Sequence, residues 1–222
     1  MADFGRDRRV WVVILRARLM EGRAGLTDRA NMSSAEATSA ASRLCAACGM
    51  CCNGVMFHTV KLQPADSAKA LAALGLKLKR KKGANFILQP CPQYRASQCS
   101  IYAVRPERCR LFECRQLKLV AAGEITEAMA REKIDEARRR VAQVNELLQA
   151  SGPTDTKRPL SKRCEKIMAE PLDATADQAA VSLRSELTRA MSELETLLNE
   201  DFRIVRASTA EHGEDQTENL AV

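Results

Sequence analysis

The stretch that decides the reading of this chain is Cys45-Ala46-Ala47-Cys48-Gly49-Met50-Cys51-Cys52-Asn53-Gly54. Three cysteines stand three residues apart and a fourth follows directly, so two C-x2-C pairs overlap. C-x2-C is a short spacing from which two thiolates reach one metal, and a looping backbone turns Cys45, Cys48 and Cys51 towards one centre. Consecutive side chains point apart, which directs Cys52 to a second centre or to a supporting or redox role. Gly49 and Gly54 let the loop wrap closely, positive φ included. The whole stretch down to Phe57 reads as a glycine-punctuated loop.

After 38 residues the pattern resumes as C-P-x6-C-x9-C-x4-C, with Cys91, Cys99, Cys109 and Cys114. Eight of the nine cysteines therefore fall within 70 residues. Core usage scatters cysteines and does not produce overlapping C-x2-C pairs, so zinc or iron chelation is the better reading and a disulfide framework the weaker one. Zinc takes four N or S ligands in a closed tetrahedron, and eight thiolates supply two such sites. An iron–sulfur cluster also takes four thiolates, and Cys45, Cys48, Cys51 and the remote Cys91-Pro92 are similar to a ferredoxin-type quartet. Both readings stay open, while thiolate-rich ligation disfavours magnesium and calcium. Cys109 and Cys114 are five apart, about 500° of rotation on a continuous helix, so the helix breaks or the two serve different positions. Cys164 lies outside the cluster and reads as a small buried hydrophobe or a spare thiol.

The motif pair at 45–54 and at 99–114, the latter CSIYAVRPERCRLFEC, closely resembles the YkgJ-type cysteine-cluster family, known as the CxxCxxCC or zinc- or iron-chelating domain. The resemblance covers residues 44–117, a third of the chain. It implies metal binding without naming the metal. Related motifs occur in flagellin lysine methylases, which implies a conceivable link to methyl transfer. The helices from 124 onwards lie outside the recognisable motif. Within it, Arg105 and Arg110 are candidates to balance thiolate charge or hydrogen-bond the sulfurs, with ordinary surface cations as the competing reading. Tyr102, Phe112 and Phe57 read as core.

The expected fold is α+β and mostly helical: a small cysteine-rich metal-binding domain followed by a C-terminal helical hairpin. Residues 1–43 are read as a variable, disordered extension, with Met1 or Met32 as the start of translation. The cysteine domain spans 44–120, long helices 121–206, and a disordered acidic tail 207–222. Val60–Leu62 and Phe86–Leu88 are strand candidates. Pro64 is expected to open a helix through Leu74 with Asp66 in its first turn. Pro106 suits the first turn of a helix carrying Cys109 and Cys114. Ile134, Ala137, Val141, Val144 and Leu148 form one helical stripe. Leu183, Leu187, Ala190, Leu194 and Leu197 form a second, on a helix from about Ala174 to Asn199. Residues 154–163 read as a polar linker.

The 222 residues carry 35 Lys and Arg against 28 Asp and Glu, and two histidines, His58 and His212. No apolar run approaches the roughly 18 residues of a membrane span, and no secretory h-region is present. We therefore read the chain as cytoplasmic and without a membrane partner. There is no G-x-G-x-x-G, no phosphate loop and no H-E-x-x-H, so no catalytic motif is visible and only His58 is placed to act as a base. Metal binding leads. A cluster-dependent redox or methyl-transfer component is the first alternative, and a basic nucleic-acid-binding metal module the second. Lys77, Lys79, Arg80, Lys81 and Lys82 form a dense basic run, and Arg138–Arg140 another. The first holds no aromatic to stack on a base, so it reads as a solvated loop and nucleic acid is not the expected partner. The C-terminal helices are a candidate surface for a protein partner.

Overall fold

The two long helices carry the apolar stripes that the sequence places on them. In the computed structural model, which describes residues 34–171 and 178–204, they run Glu127–Ala150 (α5) and Gln178–Asp201 (α7). Thr126 caps α5, its hydroxyl accepting the Met129 N–H at 3.2 Å, and Glu127 in the first turn suits the helix dipole. Ile134, Ala137, Val144 and Leu148 of α5 are buried, and so are Leu187, Ala190, Leu194 and Leu197 of α7. The helices pack against each other, and their cross-links give the direction. Lys133 reaches Asp201 at 3.0 Å and Arg140 reaches Glu193 at 3.2 Å, so α7 runs antiparallel to α5. The expected hairpin is present, with one addition. Residues 154–163 are not all linker, because Pro159 starts a helix, Leu160–Ala169 (α6), that packs on both. Arg163 is buried there, donating to Asn145 Oδ1 at 2.7 Å and Thr154 Oγ1 at 2.9 Å. Cys164 is buried on the same helix, the hydrophobe of its two readings.

The cysteine region begins with a helix where the sequence suggested a loop. Ser34–Cys48 is helical (α1), so Cys45 and Cys48 occupy its last turn. Alanine recurs through this segment, which favours helix, and Gly49 at φ +66° stops it. Residues 34–43, expected in the variable extension, are thus the opening of α1. The rest of that extension, the acidic tail and the expected helix start at 174–177 lie outside the described residues.

A three-stranded antiparallel sheet follows in the order β1 (Thr59–Lys61), β3 (Ala84–Leu88), β2 (Leu78–Lys81). Lys82 and Gly83, at φ 47° and 79°, form the two-residue turn between β2 and β3. The basic run is therefore an edge strand and its turn, not a loop. Between β1 and β2 the short helix Ala68–Ala73 (α2) starts later than expected. Ser67 caps it by accepting the Ala70 N–H at 3.2 Å. Asp66 does other work: its carboxylate accepts the Gln63 N–H at 2.8 Å and the Glu107 N–H at 2.9 Å. Val60, Leu71, Leu76 and Ile87 form the local core, with Cys91 and Cys109 packed against it.

A two-residue hairpin, β4 (Tyr94–Arg95) and β5 (Gln98–Cys99), turns through Ala96 and Ser97 at positive φ. Then come a 3-10 turn at Tyr102–Val104, helix Glu107–Leu111 (α3) and helix Arg115–Ala121 (α4). The break at Phe112 separates Cys109 on α3 from Cys114 at the N-cap of α4.

Polar contacts join this region to the long helices. The Arg115 and Gln116 side chains donate to the Glu200 and Asp201 carbonyls, each at 2.8 Å. Leu160 N–H reaches the Gly54 carbonyl at 3.3 Å, and His58 Nε2 lies 2.7 Å from Ser161 Oγ. Arg43 of α1 pairs with Glu127 at 2.7 Å, and Arg138 donates to the Ala47 carbonyl at 3.1 Å. No helix among the described residues is long and apolar enough to cross a membrane.

Leu194 of α7 is fully buried. Leu194→Ala is expected to lower the urea-unfolding free energy by about 2–5 kcal/mol. Val181→Ala, on the exposed start of the same helix, should change it by no more than about 0.5 kcal/mol. Equal losses at the two positions would contradict this packing.

Candidate metal centre

Four separate segments deliver the eight thiols. Cys45 and Cys48 lie three apart on the last turn of α1 and so share a face. Gly49 reverses the chain, with Cys52 N–H donating to the Gly49 carbonyl at 2.9 Å, and Cys51 and Cys52 follow in the turn. The turn leaves no room for a side chain at Gly49, because a Cβ there would overlap the Tyr94 hydroxyl. Cys91 is held to the second segment by its own N–H, which donates to the Cys52 carbonyl at 2.8 Å. Tyr94 N–H returns to the Cys91 carbonyl at 3.0 Å, and Tyr94 pairs across the β4–β5 hairpin with Cys99. Cys109 and Cys114 come from α3 and the start of α4.

Cys45, Cys51, Cys52, Cys91, Cys99 and Cys109 line one cavity of about 80 Å³. That is well short of the roughly 300–1,000 Å³ of a drug-sized ligand pocket, so the space suits ions or a few atoms. The rest of the wall is mainly apolar, with Phe57 and Phe112 in edge-to-face contact at 5.0 Å, and it holds no carboxylate or histidine. Phe57 is buried, as the sequence suggested, while Phe112 is half-buried.

Burial dominates the thiol chemistry, because a thiolate loses its hydration in such surroundings. It pushes Cys48 and Cys109 up to about 12 from 9.0, raises Cys51 well above the ordinary range, and raises Cys45, Cys52, Cys91 and Cys114 in the same direction. Neighbouring thiols add to this in two patterns. Cys51 is raised further by Cys48, Cys45 and Cys114, and then by Cys52. Cys52 is raised further by Cys109, Cys91 and Cys99, and then by Cys45. Cys91, expected to join Cys45, Cys48 and Cys51, acts on Cys52 and Cys109, and Cys114 acts on Cys48 and Cys51, while the two patterns cross at Cys45, which Cys99 raises.

Cations temper the charge. Arg105 lines the cavity and hydrogen-bonds Cys45, lowering its pKa against the burial effect. Its guanidinium lies 3.5 Å from the Tyr102 ring centroid, and its Nε donates to the Tyr102 carbonyl at 3.0 Å. Arg110 is exposed and does not line the cavity. Two lining residues escaped the sequence reading, Arg108 and Gln89. Arg108 Nε and Gln89 Oε1 are buried without a hydrogen-bond partner. Helical phase marks Arg108, which neighbours Cys109 on α3, but no sequence signal marks Gln89.

The donor set suits a soft or borderline metal: thiols alone, with cations nearby and no competing hard oxygen ligand. Among the described residues, however, no group of three or more Cys, His, Asp or Glu side chains is arranged to hold an ion. The thiols are gathered around a wall, not closed on a point, so a metal would have to draw them in.

Residues 44–136 match the family model CxxCxxCC, described as "Putative zinc- or iron-chelating domain". The match runs past the motif resemblance, through α4 and into the first turns of α5. No curated protein and no solved structure matches the chain. Over residues 44–136 the chain is thus similar to the CxxCxxCC family, and that similarity points to metal binding without naming the metal.

Proposed function

We propose that this protein binds zinc or iron through two sets of four thiolates, Cys45, Cys48, Cys51 and Cys114 in one and Cys52, Cys91, Cys99 and Cys109 in the other. The observation that carries the reading is the convergence of six thiols on one mainly apolar wall, with Cys48 and Cys114 close enough to act on Cys51. Backbone contacts support the second set, since Cys52 and Cys91 share a hydrogen bond and Cys99 lies one hairpin away. Bound metal would supply the positive charge that makes thiolates stable in this setting. Arg105 holds Cys45 from the side, and the Arg108 N–H is available to a sulfur.

The family description leaves the metal open, and so does a set of four thiolates, which suits tetrahedral zinc as well as an iron–sulfur cluster. Anaerobic purification followed by elemental analysis and an absorption spectrum separates them. Zinc in a colourless protein points to closed tetrahedral sites, and matched iron and acid-labile sulfide in a brown one to clusters. Neither metal at more than trace level would overturn the proposal.

The division into two sets has its own test. Cys48→Ser and Cys109→Ser should each remove about half of the bound metal, and the double variant nearly all. Complete loss in either single variant would argue for one shared centre.

Acidity gives a further check. In the metal-free, reduced protein the buried thiols keep their protons when the unfolded chain has begun to lose them. Their contribution to stability is therefore full below about pH 9 and is lost as the pH rises towards the raised values of about 12 for Cys48 and Cys109. The thermal midpoint of the metal-free protein should fall between about pH 8 and pH 10.5. The loaded protein, its thiolates already formed, should change little over the same interval and release metal on acidification. A metal-free midpoint that rises with pH would contradict the buried-thiol picture.

A further inference from the structure

Residues 67–106 contain no Asp or Glu and eight cations: Lys69, Lys77, Lys79, Arg80, Lys81, Lys82, Arg95 and Arg105. The sheet arranges part of this charge on a surface. Its inner face is the row Val60, Ile87, Leu78, with Val60 and Ile87 in the local core. Side chains alternate along a strand, so the next row faces the other way. That row is Lys61 on β1, Phe86 on β3 and Lys79 on β2, with Phe86 paired in register to both lysines. Both lysines are exposed and Phe86 is half-buried between them. Two residues along β3 on the same face sits Ala84, paired with the exposed Lys81, so a small side chain flanks the ring.

The linear basic run lacks an aromatic, and the register supplies one from the neighbouring strand. We infer that the outer face of this sheet, Lys61–Phe86–Lys79 with Lys77 beside it, binds a single-stranded nucleic acid. A base stacks on Phe86 while the flanking cations take the phosphates. Charge complementarity favours this occupant. Cations on the long helices are engaged by acids, as in Lys133–Asp201 and Arg140–Glu193. Among the described residues no ion pair involves Lys61, Lys77, Lys79 or Arg80. A flat aromatic between two lysines suits base stacking with backbone neutralisation, which is tolerant of sequence. This site is separate from the thiols and does not depend on which metal they hold.

The test uses the full chain and a fluorescein-labelled oligouridylate of about twelve nucleotides, followed by anisotropy at several salt concentrations. Binding should weaken with salt, with a log–log slope of about −2 for three phosphate contacts. The Lys61→Gln, Lys79→Gln double variant should reduce that slope by about 1.4. Phe86→Ala should weaken binding about ten-fold or more, and Phe86→Tyr should restore it. Arg139→Gln on α5 should leave binding unchanged. Thermal midpoints show whether each variant is folded; if Phe86→Ala is not, the double lysine variant and Phe86→Tyr decide. The inference is overturned by absent binding at low salt, or by binding indifferent to Lys61 and Lys79. It is overturned equally by sedimentation with phosphatidylserine vesicles that the oligonucleotide does not compete away, which would assign the face to an anionic membrane.

Discussion

Removing sulfur from water is the constraint around which the cysteine region is built. A neutral thiol sits comfortably against Phe57, Phe112 and Ile87, but a thiolate does not, and seven of the eight clustered thiols have raised pKa values for that reason above all others. Metal affinity and thiol burial then become one problem. The same apolar wall that disfavours the free thiolate strengthens its attraction to a cation once one is present. Arg105 adds a fixed positive charge at Cys45, braced by its own stacking on Tyr102.

Such a wall needs support, since this part of the chain offers few large apolar side chains of its own. Support comes from the helices. The end of α7 is bonded to the start of α4, next to Cys114, and the start of α6 meets Gly54 and His58. The cysteine segments are thus held at both ends of the loop-rich region by a bundle whose own stability rests on ordinary leucine packing. Gly49 is the tightest point. Its positive φ and its contact with Tyr94 leave hydrogen as the one side chain that fits, which ties the C-x2-C turn to the β4–β5 hairpin carrying Cys99.

Much of this was legible in order along the chain. The stripes on α5 and α7 and the strands at β1 and β3 follow from periodicity and β-branching, which are local properties, whereas angular spacing left the helix break between Cys109 and Cys114 as one of two outcomes. Failures occurred where a local rule had two valid outcomes. Asp66 satisfies either its own helix or another one, and the structure gives its carboxylate to the N–H of Glu107. Cysteine and glycine suggested a loop at 45–57, yet the alanine-rich approach carries the helix through Cys48 before Gly49 ends it. The Ala96–Ser97 turn adopts positive φ without glycine, so nothing in its composition announced a hairpin.

The sequence alone determined the kind of chemistry. Overlapping C-x2-C pairs and a second cysteine run restrict the ligands to thiolates, because spacing of a few residues sets what a backbone can bring to one ion. Tertiary structure decided how the thiols are gathered, because Cys91, Cys99 and Cys109 are remote from Cys45, Cys51 and Cys52 along the chain and only folding brings all six to one cavity. It also decided the setting of the basic run. A strand's neighbours are set by pairing register, and register placed Phe86 between Lys61 and Lys79 where the linear order shows lysines alone.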